Sequence, residues 1–156
     1  MKNSAWDLTQ YDAPSFWDFC SSQLNESVRS AKHAFHVATV STITANGTPR
    51  SRSVILRHFD ANTPEVAFHT DIRSPKLKDL QNCRTLCVHW YDPASRVQIR
   101  LIASATVHHQ DGRTEQAWHS SRTTSRACYG TESAPGTTLN QFPPAPSIPH
   151  ENDHRG

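Results

Sequence analysis

From His33 to Thr44 the chain reads HAFHVATVSTIT, and Asn46-Gly47 follows two residues later. β-Branched side chains suit a half-buried pleated surface, and Asn-Gly readily takes up the positive φ values of a tight hairpin turn. These two signals commit the middle of the chain to antiparallel β-structure. RSRSVILRHF (50–59) reads as the returning strand and EVAFHT (65–70) as a third. RTLCVHWY (84–91) reads as a fourth and RVQIRLIASATVHH (96–109) as a long fifth. Short turns link most of them, so a βαβ pattern is excluded. Antiparallel closure into a small barrel removes exposed edges and is the expected solution.

Three helices are expected around these strands. Residues 15–31 place Phe16, Phe19, Leu24 and Val28 at helical spacing, with Ser15 as N-cap after Pro14. Ser74-Pro75 opens a short helix carrying Leu77 and Leu80, with Pro at the first helical position. Gln110-Asp111-Gly112 leads into a third, at about Arg113–Ser121. Residues 131–156 hold five of the ten prolines and lose apolar periodicity. The expected division is a folded domain over residues 1–130 and a Pro-rich, disordered tail over 131–156, extended around Pro143–Pro149.

Composition removes several classes of function. The chain has 156 residues and a formal net charge of +2, too little to argue for a nucleic-acid surface. No apolar run reaches the ~18 residues of a membrane span. The start, MKNSAWDLTQYD, lacks the apolar core of a secretory signal, and with four Cys a reduced, cytoplasmic protein is expected. G-x-S-x-G, H-E-x-x-H and G-x-x-x-x-G-K motifs are absent, and five glycines are few for a phosphate-cradling glycine loop. A phosphate bound here would have to be held by side chains.

Three segments carry candidate chemistry. Arg50, Arg52 and Arg57 fall on one strand. They make either a charged edge that discourages pairing or a guanidinium clamp for phosphate, and Arg52 and Arg57 converge only if the strand bulges or ends before Arg57. His69-Thr-Asp-Ile-Arg73-Ser-Pro-Lys76 follows a strand and opens a helix, offering hydroxyls, cations and N-terminal N–H groups to an anion, or simply a solvated cap. Gln98 alternates with Val97 and Ile99, and its amide suits a flat heterocycle as well as solvent. Cys83, Cys87 and His89 are the tightest potential metal ligands, but their spacing is not that of a zinc site, so no metal is expected. His33, His36, His108 and His109 are further histidines on or beside strands.

In this order, ATVSTITANGTPRSR, R-x-V-x-L-[KR], F-[YFH]-T, S-x-K and V-Q-[IV] resemble the pyridoxamine 5′-phosphate oxidase-like family of FMN-binding split barrels. The resemblance runs from about Phe16 to Gly136. It implies a mainly β fold with α, an antiparallel split β-barrel with flanking helices. It also implies FMN as cofactor and a homodimer with FMN in the interface. Trp6, Trp17 and Trp90 supply apolar surface for such a dimer. Carried onto this sequence, Arg52 and Arg57 address the phosphate, and the backbone of Ser53, Val54, Ile55 and Leu56 approaches the ring. His69 and Thr70 end the next strand against the flavin, Ser74 and Lys76 form the S-x-K anion site, and Gln98 lies beside the ring. Trp118 and Arg122 resemble the residues that take substrate phosphate. Arg57 replaces the usual Lys, and Pro75 stands where Arg is frequent.

The implied function is an FMN-dependent oxidoreductase acting on a small molecule, the flavin supplying the redox chemistry and the protein its orientation. The C-terminal strands and R-x-H-x-R segment of those oxidases have no counterpart, which motivates a non-catalytic flavin-binding module as the alternative. The histidine-rich strands motivate a second alternative, a haem- or metal-binding protein.

Overall fold

The computed structural model describes residues 12–140. The expectations for Trp6 and for the Pro143–Pro149 run lie outside the described residues. The chain divides into two compact units, one of residues 12–69 with 79–105, the other of residues 70–78 with 106–140.

The first unit opens with helix α1, Ala13–Arg29. Its N-cap is Asp12 rather than Ser15: the Asp12 carboxylate accepts from Ser15 N at 2.9 Å. An acidic cap also sits favourably at the positive end of the helix dipole. The helix buries Cys20, Leu24 and Ser27, and the Ser27 hydroxyl donates to Leu24 O at 2.7 Å.

The first strand starts later than expected, because Ala34–His36 forms one 3₁₀ turn. Strand β1 is Val37–Ile43 and β2 is Pro49–Ile55, paired antiparallel from Val37↔Ile55 to Ile43↔Pro49. Gly47 takes φ +83° in the connecting turn, which is why Gly follows Asn there. The strand expected over 50–59 breaks in two. Leu56 N donates to His36 O at 2.9 Å, whereas Arg57 N donates to Ala67 O at 2.8 Å. The chain thus leaves one sheet and joins another between consecutive residues. Strand β3, His58–Asp60, pairs with β4, Glu65–Ala67, in a two-stranded sheet. β4 stops three residues short of the expected Thr70.

Strand β5, Thr85–Asp92, pairs with β1 and with β6, Val97–Ser104, so the larger sheet runs β2-β1-β5-β6. β6 ends before the expected His109. One face of this sheet meets α1 and carries the core: Ala38, Val40, Val54, Leu86, Val88, Trp90, Val97 and Ile99, joined by Leu24, Phe35, Leu56, Phe59 and Leu80. Trp90, expected to contribute outer apolar surface, is 1% exposed within this core. Trp17 packs edge-on against Phe59.

Helix α2, Pro75–Asn82, begins in the second unit and ends in the first. The second unit also holds α3, Gly112–Ser120, capped by Asp111 through a reciprocal pair with Thr114. A short α4, Thr123–Ala127, was not anticipated. Residues 131–140, assigned from the sequence to the tail, include a turn in which the Thr137 hydroxyl donates to Ala134 O at 2.7 Å. No helix among the described residues is long and apolar enough to cross a membrane.

Candidate flavin site

Strand β2 is an edge strand of the four-stranded sheet. Its register places Arg50, Arg52 and Val54 opposite Thr42, Val40 and Ala38, on the face that carries the core. Val54 is buried, and the two arginines escape burial of their charge by turning to Asp79 of α2. Arg50 Nη1 lies 3.4 Å from Asp79 Oδ1 and Arg52 Nη2 lies 3.6 Å from Asp79 Oδ2. Arg52 Nη1 also donates to Thr42 Oγ1 at 2.7 Å, Arg50 O at 3.1 Å and Val40 O at 3.3 Å. Burial lowers the guanidinium pKa of Arg52, and the Asp79 charge opposes that shift. Neither Thr42 nor Asp79 was singled out from the sequence. Asp79 is 37 residues from its hydroxyl partner, and no local pattern links the two.

Leu56 pairs with His36, so alternation in the antiparallel ladder directs the main-chain groups of Ser53 and Ile55 away from β1, off the sheet edge. The side chains of Val54 and Leu56 point into the core. β2 ends at Ile55, before Arg57, which meets the condition set for Arg52 and Arg57 to converge. Arg57 is exposed. His69 is half-buried, and its pKa is lowered first by burial and then by the charge of Arg57, both of which disfavour the imidazolium.

In the second unit, Thr70, Ser74 and Lys76 come together. Lys76 Nζ donates to Thr70 Oγ1 at 2.5 Å and to Ser74 Oγ at 2.9 Å. Lys76 and Ser74 are 8% and 7% exposed, at the start of α2. A buried ammonium bonded to two hydroxyls at the start of a helix presents donor chemistry of the kind that suits an anion. Arg73, the other cation of this segment, is directed elsewhere. Its Nε and Nη2 hold the Asp71 carboxylate at 3.0 and 2.7 Å, and Nη1 donates to Thr131 O at 2.9 Å.

The profile of pyridoxamine 5′-phosphate oxidase, FMN-binding domain, matches residues 15–109, more than half of the 156-residue chain. This chain belongs to that family. The cofactor of the domain is FMN. Pyridoxine/pyridoxamine 5′-phosphate oxidase 2 of Arabidopsis thaliana is 28% identical over 111 residues, 65% of this chain. The match spans 56% of that relative, so the chain corresponds to about half its length. Among solved structures, a pyridoxamine 5′-phosphate oxidase-related, FMN-binding protein from Nostoc punctiforme is similar with a TM-score of 0.65 and 24% identity. That likeness covers 88% of this chain and 73% of the other. PhzG from Burkholderia lata, in complex with tetrahydrophenazine-1-carboxylic acid, gives a TM-score of 0.63 and 15% identity, over 90% of this chain and 66% of PhzG. These likenesses establish the fold as the antiparallel split barrel with flanking helices.

The donor chemistry of this oxidase-family domain fits FMN. The buried Lys76 ammonium with the Ser74 and Thr70 hydroxyls matches a phosphate, which accepts hydrogen bonds and carries negative charge. Gln98 is exposed on β6, opposite Tyr91 of β5, on the sheet face away from the core. Trp118 is 48% exposed, and the guanidinium over its ring, 5.1 Å from the centroid, belongs to Arg126. Arg122 stands exposed at the start of α4. The described residues contain no group of three or more His, Cys, Asp or Glu placed to hold a metal ion. His33 instead meets Gln23 at 3.3 Å, and His36 Nδ1 donates to Ser27 O at 2.6 Å.

Proposed function

We propose that this chain is an FMN-dependent oxidoreductase acting on a small-molecule substrate. The observation that carries this reading is the Lys76–Ser74–Thr70 cluster, a buried cation already surrounded by hydroxyl groups. FMN, when bound, supplies the redox chemistry. The residues of the chain bind and orient it. Lys76, Ser74 and Thr70 receive phosphate oxygens. On the family resemblance Arg52 and Arg57 also address the phosphate, Ser53 and Ile55 offer main-chain groups at the β2 edge, His69 lies against the flavin and Gln98 lies beside the ring. Trp118 and Arg122 are the substrate-facing residues by the same resemblance.

A homodimer is part of this reading. Val37, Ile43, Tyr91 and Ile102 lie exposed on the sheet face away from the core, which a second copy of the chain would cover. Light scattering at micromolar concentration should return twice the mass of the chain. A monomer with flavin bound would refute the dimer.

The primary experiment titrates FMN and riboflavin into the purified protein, following flavin absorption and fluorescence. FMN should bind at least about tenfold more tightly, since each charge-assisted phosphate contact contributes roughly 1.5–3 kcal/mol. Equal affinities would overturn the phosphate site. Turnover with an electron donor then tests the oxidoreductase.

A further inference from the structure

We infer that Thr42 is a positioning residue for flavin phosphate recognition, its buried hydroxyl fixing the orientation of the Arg52 guanidinium. This rests on the FMN reading above. By strand alternation, position 42 continues the core row of Ala38 and Val40, where an apolar residue is the ordinary choice. A hydroxyl at 0% exposure there costs stability unless it is bonded. Both of its bonds run through the arginine network: Oγ1 donates to Asp79 Oδ2 at 2.7 Å and accepts from Arg52 Nη1 at 2.7 Å.

The direction of each bond is forced. Arginine only donates, the ionised carboxylate only accepts, and the hydroxyl has one proton. With that proton given to Asp79, the Thr42 lone pairs face Arg52. Nη1 is held inward by Thr42 and by the Val40 and Arg50 carbonyls, while Nη2 faces Asp79 Oδ2 across a longer ion pair of 3.6 Å. Arg52 keeps 23% of its side chain exposed, where a phosphate would meet it, and a side chain that is already ordered loses less entropy on binding. Asp79 anchors Thr42 but also adds negative charge, so Thr42 gives the cleaner test.

The test uses the full chain and titrates both FMN and riboflavin into wild type, Thr42→Val, Thr42→Ser, Arg52→Met and the Thr42→Val/Arg52→Met double variant. The readout is the ratio of the two affinities, which a general loss of packing does not move. Thr42→Val is expected to reduce the preference for FMN by about tenfold, whereas Thr42→Ser stays within about twofold of wild type. In the Arg52→Met background, Thr42→Val should have no further effect, because the hydroxyl acts through that guanidinium. If Thr42→Val fails to fold, Thr42→Ala removes the same hydroxyl and carries the same expectations. A wild type without preference for FMN overturns the FMN reading and this inference with it. A wild type that prefers FMN, with either hydroxyl-free variant keeping that preference or losing it equally without Arg52, overturns the role of Thr42 alone.

Discussion

Arg73 holds Asp71 side-on, with Nη2 2.7 Å from Oδ2 and Nε 3.0 Å from Oδ1. The same guanidinium donates through Nη1 to Thr131 O and Glu132 O, at 2.9 and 3.3 Å. One arginine therefore ties the segment before α2 to the chain beyond α4. Its role is to order the second unit, leaving Lys76 as the cation of the hydroxyl cluster.

The Asp71–Arg73 pair should be visible in acid. Hydrogen bonding from Arg73 is the largest influence on the Asp71 carboxyl and holds it below the usual carboxylate range. A depressed carboxyl pKa stabilises the fold above the unfolded-state value near 4, and that contribution is lost as pH falls through the folded value. Arg73→Met should lower stability at pH 7 and flatten the loss below about pH 4. Urea unfolding of both proteins from pH 7 to pH 3 measures it, and parallel acid limbs would contradict the assignment.

Lys76→Met keeps most of the side-chain volume and removes the charge. FMN affinity should fall about tenfold or more, with riboflavin affinity changed far less. Fluorescence titration of the two flavins gives the answer. An equal loss for both would mean that Lys76 acts through packing.

Arg57→Ala should weaken FMN binding by about tenfold or more. In the flavin-free protein it should also raise the His69 pKa, since it removes a positive charge that disfavours the imidazolium. Burial, the larger cause, remains, so the value should stay below that of a free histidine. NMR titration of the His69 ring in both proteins reads the shift, and an unchanged value would separate the two residues.

Leu24 is 0% exposed at the contact between α1 and the sheet core. Leu24→Ala should cost about 2–5 kcal/mol by leaving a cavity. At roughly 2–4 °C per kcal/mol for a chain of this size, the melting temperature should fall by about 5–15 °C. A fall under about 2 °C would show that α1 contributes little to the core.

Local signals were legible in the sequence wherever the physics is local. Asn46-Gly47 specified a turn because one dipeptide meets its backbone demand, and Ser74-Pro75 specified a helix start for the same kind of reason. Ser74 and Lys76 could both be named from the sequence because they lie two apart in one short segment, whereas the bond between them is seen only in the structure. Strand ends were less legible. RSRSVILRHF contains no Gly, Pro, Asn or Asp, and nothing within it marks Leu56 and Arg57 as the point where the chain changes sheets. That break depends on acceptors supplied by His36 and Ala67. The N-cap of α1 is Asp12 because the helix already starts at Ala13, which leaves Ser15, three residues on, inside the first turn as the donor to the Asp12 carboxylate.

Thus the sequence alone determined the antiparallel β-architecture, the places of α1, α2 and α3, and the residue types available to a phosphate. Alternation, capping and turn chemistry act over a few residues and are written where they operate. Only the tertiary structure decided what the arginines do. Arg52 meets Thr42 and Asp79 because strand register and the docking of α2 bring distant residues to one buried point. Arg73 meets carbonyls 56 to 59 residues away. A guanidinium carries the same charge in every setting, and its function follows from which acceptors the folded chain places within its reach.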